Sequence, residues 1–133
     1  MPAGFTPGVT VESAYDPTGI LVAGSNKPYR IEVVTILSGQ NLPPGRLVGK
    51  ITASGKFKSS LGASSDGSQL YEKCGVLLEA CDATSGDKSA RVLVTGEANL
   101  SKVSFDTGQT YAAGRVDMAK AGLFFADDRA VAS

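Results

Sequence analysis

The chain has 133 residues, 42% of them hydrophobic, with 13 basic and 13 acidic side chains, two cysteines and no histidine. That length fits one domain, able to bury about two-thirds of its unfolded surface. The missing imidazole closes Ser-His, Cys-His and zinc-protease mechanisms, and no apolar run approaches the roughly 18 residues of a membrane helix.

Residues 1–28 read as an extended N-terminal arm with little core of its own, either disordered or completed by a partner. Pro2, Pro7, Pro17 and Pro28, with Gly4, Gly8, Gly19 and Gly24, break any periodic element. Between them Val9, Val11, Ser13 and Tyr15 alternate with Thr10, Glu12 and Ala14, a short strand able to pair with something. "ILVAGSN" offers a few more extended residues before a turn. The N-terminus has neither a basic n-region nor an apolar h-region, so no signal peptide is expected and synthesis is placed in the cytoplasm.

From Tyr29 to residue 126 the pattern is that of a compact β-rich domain. "YRIEVVTIL" is a strand of branched residues, with Ile31, Val33, Thr35 and Leu37 expected on one face. "SGQNLPPGR" is turn chemistry. "LVGKITA" is the next strand, and Gly55 turns the chain into "KFKSS". The two Gly-Lys pairs here do not make a phosphate loop. Gly49 to Gly55 encloses five residues where a Walker loop needs four, and Phe57 stands where its hydroxyl belongs. Gly45, Gly49 and Gly55 are instead expected at turns, a bulge or a close backbone contact.

After the loop "GASSDGSQ", "LYEKCGVLLEA" reads as a strand interrupted by Gly75, and "CDATSGDKSA" as another loop. Asp82, Thr84 and Asp87 miss the spacing of a calcium loop, and no glutamate closes it, so no metal is assigned. Cys74 and Cys81 lie an odd number of residues apart. In one continuous strand they would face opposite ways, so both are expected as packed free thiols. "RVLVTGEA" is a strand with Val92 and Val94 on one face. "NLS" at Asn99 has the form of a glycosylation sequon, without a secretion signal to support it. "ANLSKV" and "RVDMAKAG" give one or two short helices, the second ended by Gly122 in the left-handed position. "GLFFAD" is a final strand, and 127–133 a polar tail. The expected fold is therefore mainly β, a barrel or sandwich with short turn-bounded strands.

Charge is uneven: −2 over residues 1–26, +5 over 27–60 and −3 over 61–133. The basic stretch has few interleaved aromatics and reads as a solvated strand face rather than a nucleic-acid patch. Asp66, Glu72, Glu79, Asp82 and Glu97 are the carboxylates from which a glycosidase-like pair would have to be drawn. Loop carboxylates are ordinarily solvated surface, and no enzyme activity is expected.

The blocks "LPPGRLVGKITASGK" and "VLVTGEAN", followed by a short helix and "AGLFF", come in an order that resembles the head decoration proteins of tailed bacteriophages, over roughly residues 30–126. Where members of that family often carry Asp-Val-Asp, this chain has Ala80-Cys81-Asp82. The resemblance implies a non-enzymatic capsid protein without cofactor. It implies a homotrimer on the outside of the expanded head, bridging major capsid subunits against the pressure of packaged DNA, with no direct contact to nucleic acid or membrane. It also implies an arm that adds strands to capsid loops. By position and strand character, Phe5, Thr6, Val9, Val11 and Tyr15 are the arm's candidate anchors. Phe124 and Phe125 are the candidate trimer-interface residues; being adjacent in a strand, one is expected in the core and one at the interface. The "GRLVGKITASGK" hairpin is also similar to the lysine hairpins of biotinyl and lipoyl carrier domains. Lys50 and Lys56 lack the acidic or methionine flanks of those sites, and an intact mass would expose a modified lysine.

Overall fold

A computed structural model describes residues 20–22 and 29–126 of the chain. The strands are β1 (Arg30–Ile36), β2 (Asn41–Leu42), β3 (Leu47–Lys50), β4 (Phe57–Ser59), β5 (Cys74–Leu77), β6 (Cys81–Asp82), β7 (Lys88–Asn99) and β8 (Leu123–Ala126). One α-helix, α1 (Tyr111–Lys120), and two 3-10 turns at Tyr71–Lys73 and Leu100–Lys102 complete the elements. Strands run in the order β1-β4-β3-β5-β7, and β7 pairs back onto β1, so five strands close a barrel. β8 extends β7 outside the barrel in parallel, and β2 pairs with β6 as a separate small ribbon.

Closure creates two cores, one on each side of the wall. Ile36, Val48, Phe57, Leu77 and Val92, one from each barrel strand, fill the lumen together with Ala90. Leu42, Cys81 and Ala83 cap it from the small ribbon. Leu47, Val76 and Leu93 point outward from β3, β5 and β7 and are covered by Met118 of α1, Leu123 of β8 and Ile20. The period-two alternation of a strand thus sends Val76 to the outer core and Leu77 to the inner one. That is why all four residues of β5 are buried.

Several expectations are corrected here. Alternation along β1 sends Val34 and Ile36 to the lumen and Val33 to the outer face that Ile31 also occupies, where Val33 is 71% exposed. Ile31 packs in the outer core, where the far face of β1 is covered beside Leu93. Gly75 does not interrupt a strand. It sits in the middle of β5, where any side chain would run into Val92 and the Leu93 carbonyl, and "YEK" before it is a 3-10 turn rather than strand. β3 ends at Lys50, and "ITA" is the start of the turn to β4. Gly45 and Gly55 take positive φ, 89° and 76°, in turns, while Gly49 lies directly against the Ser68 carbonyl. Cys74 and Cys81 are both free and buried. They lie in separate strands and separate cores rather than on two faces of one strand. Ile20, on the arm side of the expected boundary at residue 28, is 1% exposed in the outer core.

Candidate functional site

The end of the molecule beyond Gly96 is built from the last residues of β7, from β8 and from residues 20–22, which meet β7 at one bridge. β7 needs an irregularity to reach it: the β1 pairing passes from Leu93 to Thr95 between Ile31 and Arg30, and Gly96 follows at φ 130° against Tyr29. Past that point β7 changes neighbour. Residues 20–22 take over from β1: the Val22 N–H donates to the Glu97 carbonyl at 3.2 Å, and the Asn99 N–H donates to the Ile20 carbonyl at 2.7 Å. On the other flank β8 runs parallel to β7, with Leu123 beside Gly96 and Ala126 beside Asn99. Residues 20–22 run antiparallel to β7 and β8 runs parallel. Ile20 and Ala126, the outermost described residues, therefore lie on opposite flanks of Asn99, roughly 10 Å apart at two strand spacings.

Aromatic packing and polar contacts tie this end to the barrel. Phe125 meets Tyr111 edge-on at 5.5 Å between ring centroids and Phe105 at 6.5 Å, an arrangement aromatic rings favour. Behind it the loop 103–109 is pinned to the barrel. The Leu47 N–H donates to the Ser104 carbonyl and the Ser104 N–H to the Gly45 carbonyl, both at 2.9 Å. Arg46 reaches Ser104 Oγ at 3.0 Å and Asp106 Oδ2 at 3.1 Å. The Ser59 hydroxyl also donates to Asp106, which with the Arg46 charge holds that carboxyl below its ordinary pKa. One layer deeper, the buried Gln109 donates through Nε2 to Ser60 Oγ at 2.7 Å and to the Gln69 carbonyl at 2.9 Å. Ser60 passes its own hydroxyl hydrogen to the Ser68 carbonyl.

The sequence-predicted residues fall as follows. Phe5, Thr6, Val9, Val11 and Tyr15 lie outside the described residues. Phe124 and Phe125 occupy β8 side by side: Phe125 packs on the outer core, while Phe124, beside Glu97, is half-buried on the other face. The candidate carboxylates are scattered, and Asp66 contacts Lys58 and Ser68, Glu79 contacts Arg91, and Asp82 contacts Thr84. Asp87 accepts from the Ser38 N–H at 2.9 Å and pairs with Lys56 at 2.6 Å. Among the described residues no His, Cys, Asp or Glu cluster could hold a metal ion. The convergence of Ile20 and Ala126 on Asn99 was not foreseen. The only signal for it was the apolar "ILV" within the presumed arm.

No curated protein matches the chain. The profile of the family described as bacteriophage lambda head decoration protein D matches residues 9–123, most of the chain, and its members are structural capsid proteins of the phage head. The closed barrel, with its helix and the same order of sequence blocks, belongs to a chain that is a member of the phage lambda head decoration protein family.

Proposed function

We propose that this protein is a cement for the expanded phage head, made in the host cytoplasm and bound to the outer capsid surface as a homotrimer. In this reading it bridges neighbouring major capsid subunits and resists the pressure of packaged DNA. Residues 29–126 are the decoration domain, residues 1–28 the extended arm, whose part before Ile20 docks, and 127–133 a polar tail. The observation that carries the reading is that Ile20 and Ala126, which lead to the two terminal segments, both flank Asn99. It supports a reading in which that end meets the shell and other faces make the subunit contacts. Phe5, Thr6, Val9, Val11 and Tyr15 are then the strand-adding anchors, with backbone hydrogen bonds supplying affinity and alternate side chains specificity. Three such arms on one trimer act at high effective concentration, so each needs only modest affinity. Phe124, turned away from the aromatic cluster, is the better trimer-interface residue of the pair.

The test is co-sedimentation with purified expanded shells, comparing the full chain with a variant lacking residues 1–16. Saturable binding of the full chain and its loss in the truncation are expected. Full binding by the truncation would remove the arm from the mechanism. No binding by either form would overturn the decoration role for this chain.

A further inference from the structure

The sequence holds one Asp-Gly step and no Asn-Gly: Asp66–Gly67, in the loop between β4 and the first 3-10 turn. In such a step the side-chain carboxyl condenses most readily with the next backbone nitrogen, because glycine puts no Cβ in the way. The Gly67 nitrogen bonds to Asp66 Cγ, the Cγ–OH bond breaks, and the hydroxyl leaves with the amide proton as water. Water then opens the succinimide ring at either carbonyl. One opening restores aspartate; the other leaves isoaspartate, whose main chain runs through Cβ and Cγ.

The fold requires both residues. Gly67 has φ 102°, and a Cβ there would fall on Thr52 Oγ1. Asp66 Oδ1 accepts from the Ser68 hydroxyl at 2.6 Å and from the Ser68 N–H at 3.1 Å. Its Oδ2 accepts from Lys58 Nζ at 3.1 Å. The same bonds oppose the condensation, since whichever oxygen leaves must first give up Ser68 or Lys58. The carboxyl must also be protonated to lose water, and these donors hold it ionised, with a pKa of about 2. The nitrogen is engaged as well: the Gly67 N–H donates to Gln69 Oε1 at 2.9 Å. The Thr52 N–H, donating to the Asp66 carbonyl at 2.9 Å, fixes the peptide plane between them. Exclusion of water plays no part, because the Asp66 side chain is 36% exposed.

We infer that Asp66–Gly67 is an isoaspartate-forming site, shut in the folded loop and open once the loop leaves the barrel. The product does not fit back. Its main chain is one methylene longer, and the carbonyl that Thr52 holds has become a free carboxylate. Ser68 is displaced with it, although its carbonyl lies against Gly49 and accepts the Ser60 hydroxyl. A local opening that outlasts the reaction therefore leaves a permanent mark beside β3.

The test incubates the full chain in mildly acidic buffer, folded and in urea, and follows Asp66 by peptide mapping. Isoaspartate separates there from aspartate at equal mass, and the succinimide is lighter by one water. Conversion is expected to be at least about tenfold slower in the folded protein than in urea. Gln69→Ala and Ser68→Ala should each speed the folded-state reaction about fivefold, the worth of one hydrogen bond, and leave the rate in urea unchanged. Circular dichroism checks that each variant is folded, and Lys58→Ala replaces one that is not. Equal rates in the folded and unfolded chain would overturn the proposal, as would no conversion in urea. Folded variants no faster than the parent would also sink it, by placing the protection outside these bonds.

Discussion

Gly49 and Gly55 sit six residues apart in one hairpin, yet they are glycine for different reasons. A Cβ on Gly49 would fall on the backbone carbonyl of Ser68, which cannot move without disturbing the Ser60 bond it accepts. Gly55 has φ 76° and only the end of the Lys50 side chain nearby, at 3.9 Å. Gly55→Ala should therefore cost roughly 1 kcal/mol, the penalty of left-handed backbone alone. Gly49→Ala should cost about 2–4 kcal/mol through overpacking; urea unfolding of both variants gives the comparison. Asp66 supplies a second residue-scale expectation. The Ser68 hydroxyl and N–H bond its carboxylate, and Lys58 pairs with it, which brings its pKa down to about 2. A carboxyl depressed by folding stabilises the protein above its unfolded pKa and loses that contribution as pH falls through the folded value. Stability should thus decline between pH of about 4 and about 2, and Asp66→Asn should flatten that slope in acid titrations followed by circular dichroism.

At the scale of elements, α1 owes its start to Thr110. The Thr110 side chain accepts from the Ala113 N–H at 3.2 Å, and its own N–H donates to the Tyr71 hydroxyl at 3.1 Å. Thr110→Ala should cost about 1 kcal/mol. Met118→Ala, which empties a fully buried position under the same helix, should cost about 2–5 kcal/mol. Thermal melts of the two variants separate a cap from a core contact. The helix, its stop at Gly122 with φ 97° and most strands could be read from the sequence, because local propensity and burial agree there. The faces of β1 could not. Alternation identifies two faces but not which one is covered, and here the lumen claims Val34 and Ile36 while Val33 is left outside. Gly75 misled for a related reason: a glycine in a strand looks like a break, whereas tight β5–β7 packing requires one. The two-sided burial of β5 was visible only as the run "CGVLL", and the partner across the wall cannot be read from one strand. The placing of Ile20 and Ala126 beside Asn99 depends on β7 exchanging β1 for residues 20–22, a long-range pairing that no local pattern encodes.

For the whole molecule, two buried thiols report on integrity. Burial pushes Cys74 up to about 11 and raises Cys81 as well, so neither is a thiolate at neutral pH. An aromatic disulfide reagent should label both cysteines only as the barrel opens. The labelling rate should then follow global unfolding and rise in the Gly49→Ala variant. Reaction of either cysteine at the speed of a free thiol in the native protein would contradict its place in the core. Assembly is a separate matter at this scale. Light scattering behind a sizing column should give three times the chain mass if the trimer forms before it meets a shell, and one chain mass if the shell is the template.

The seam between β1 and β7 has a consequence for how the protein is made. Glu32 pairs with Val92, so the ring shuts through partners about 60 residues apart, and such distant contacts slow the search for the native state. During synthesis the β3–β4 hairpin can form early, but the lumen stays open until β7 has left the ribosome. Until then Val48, Phe57 and Leu77 face water together. The nascent chain therefore passes through a window of adhesiveness that ends with a single late event. Slowing translation after residue 115, when Leu77 has emerged and β7 has not, should lengthen that window and lower the soluble yield, without altering the protein that completes it.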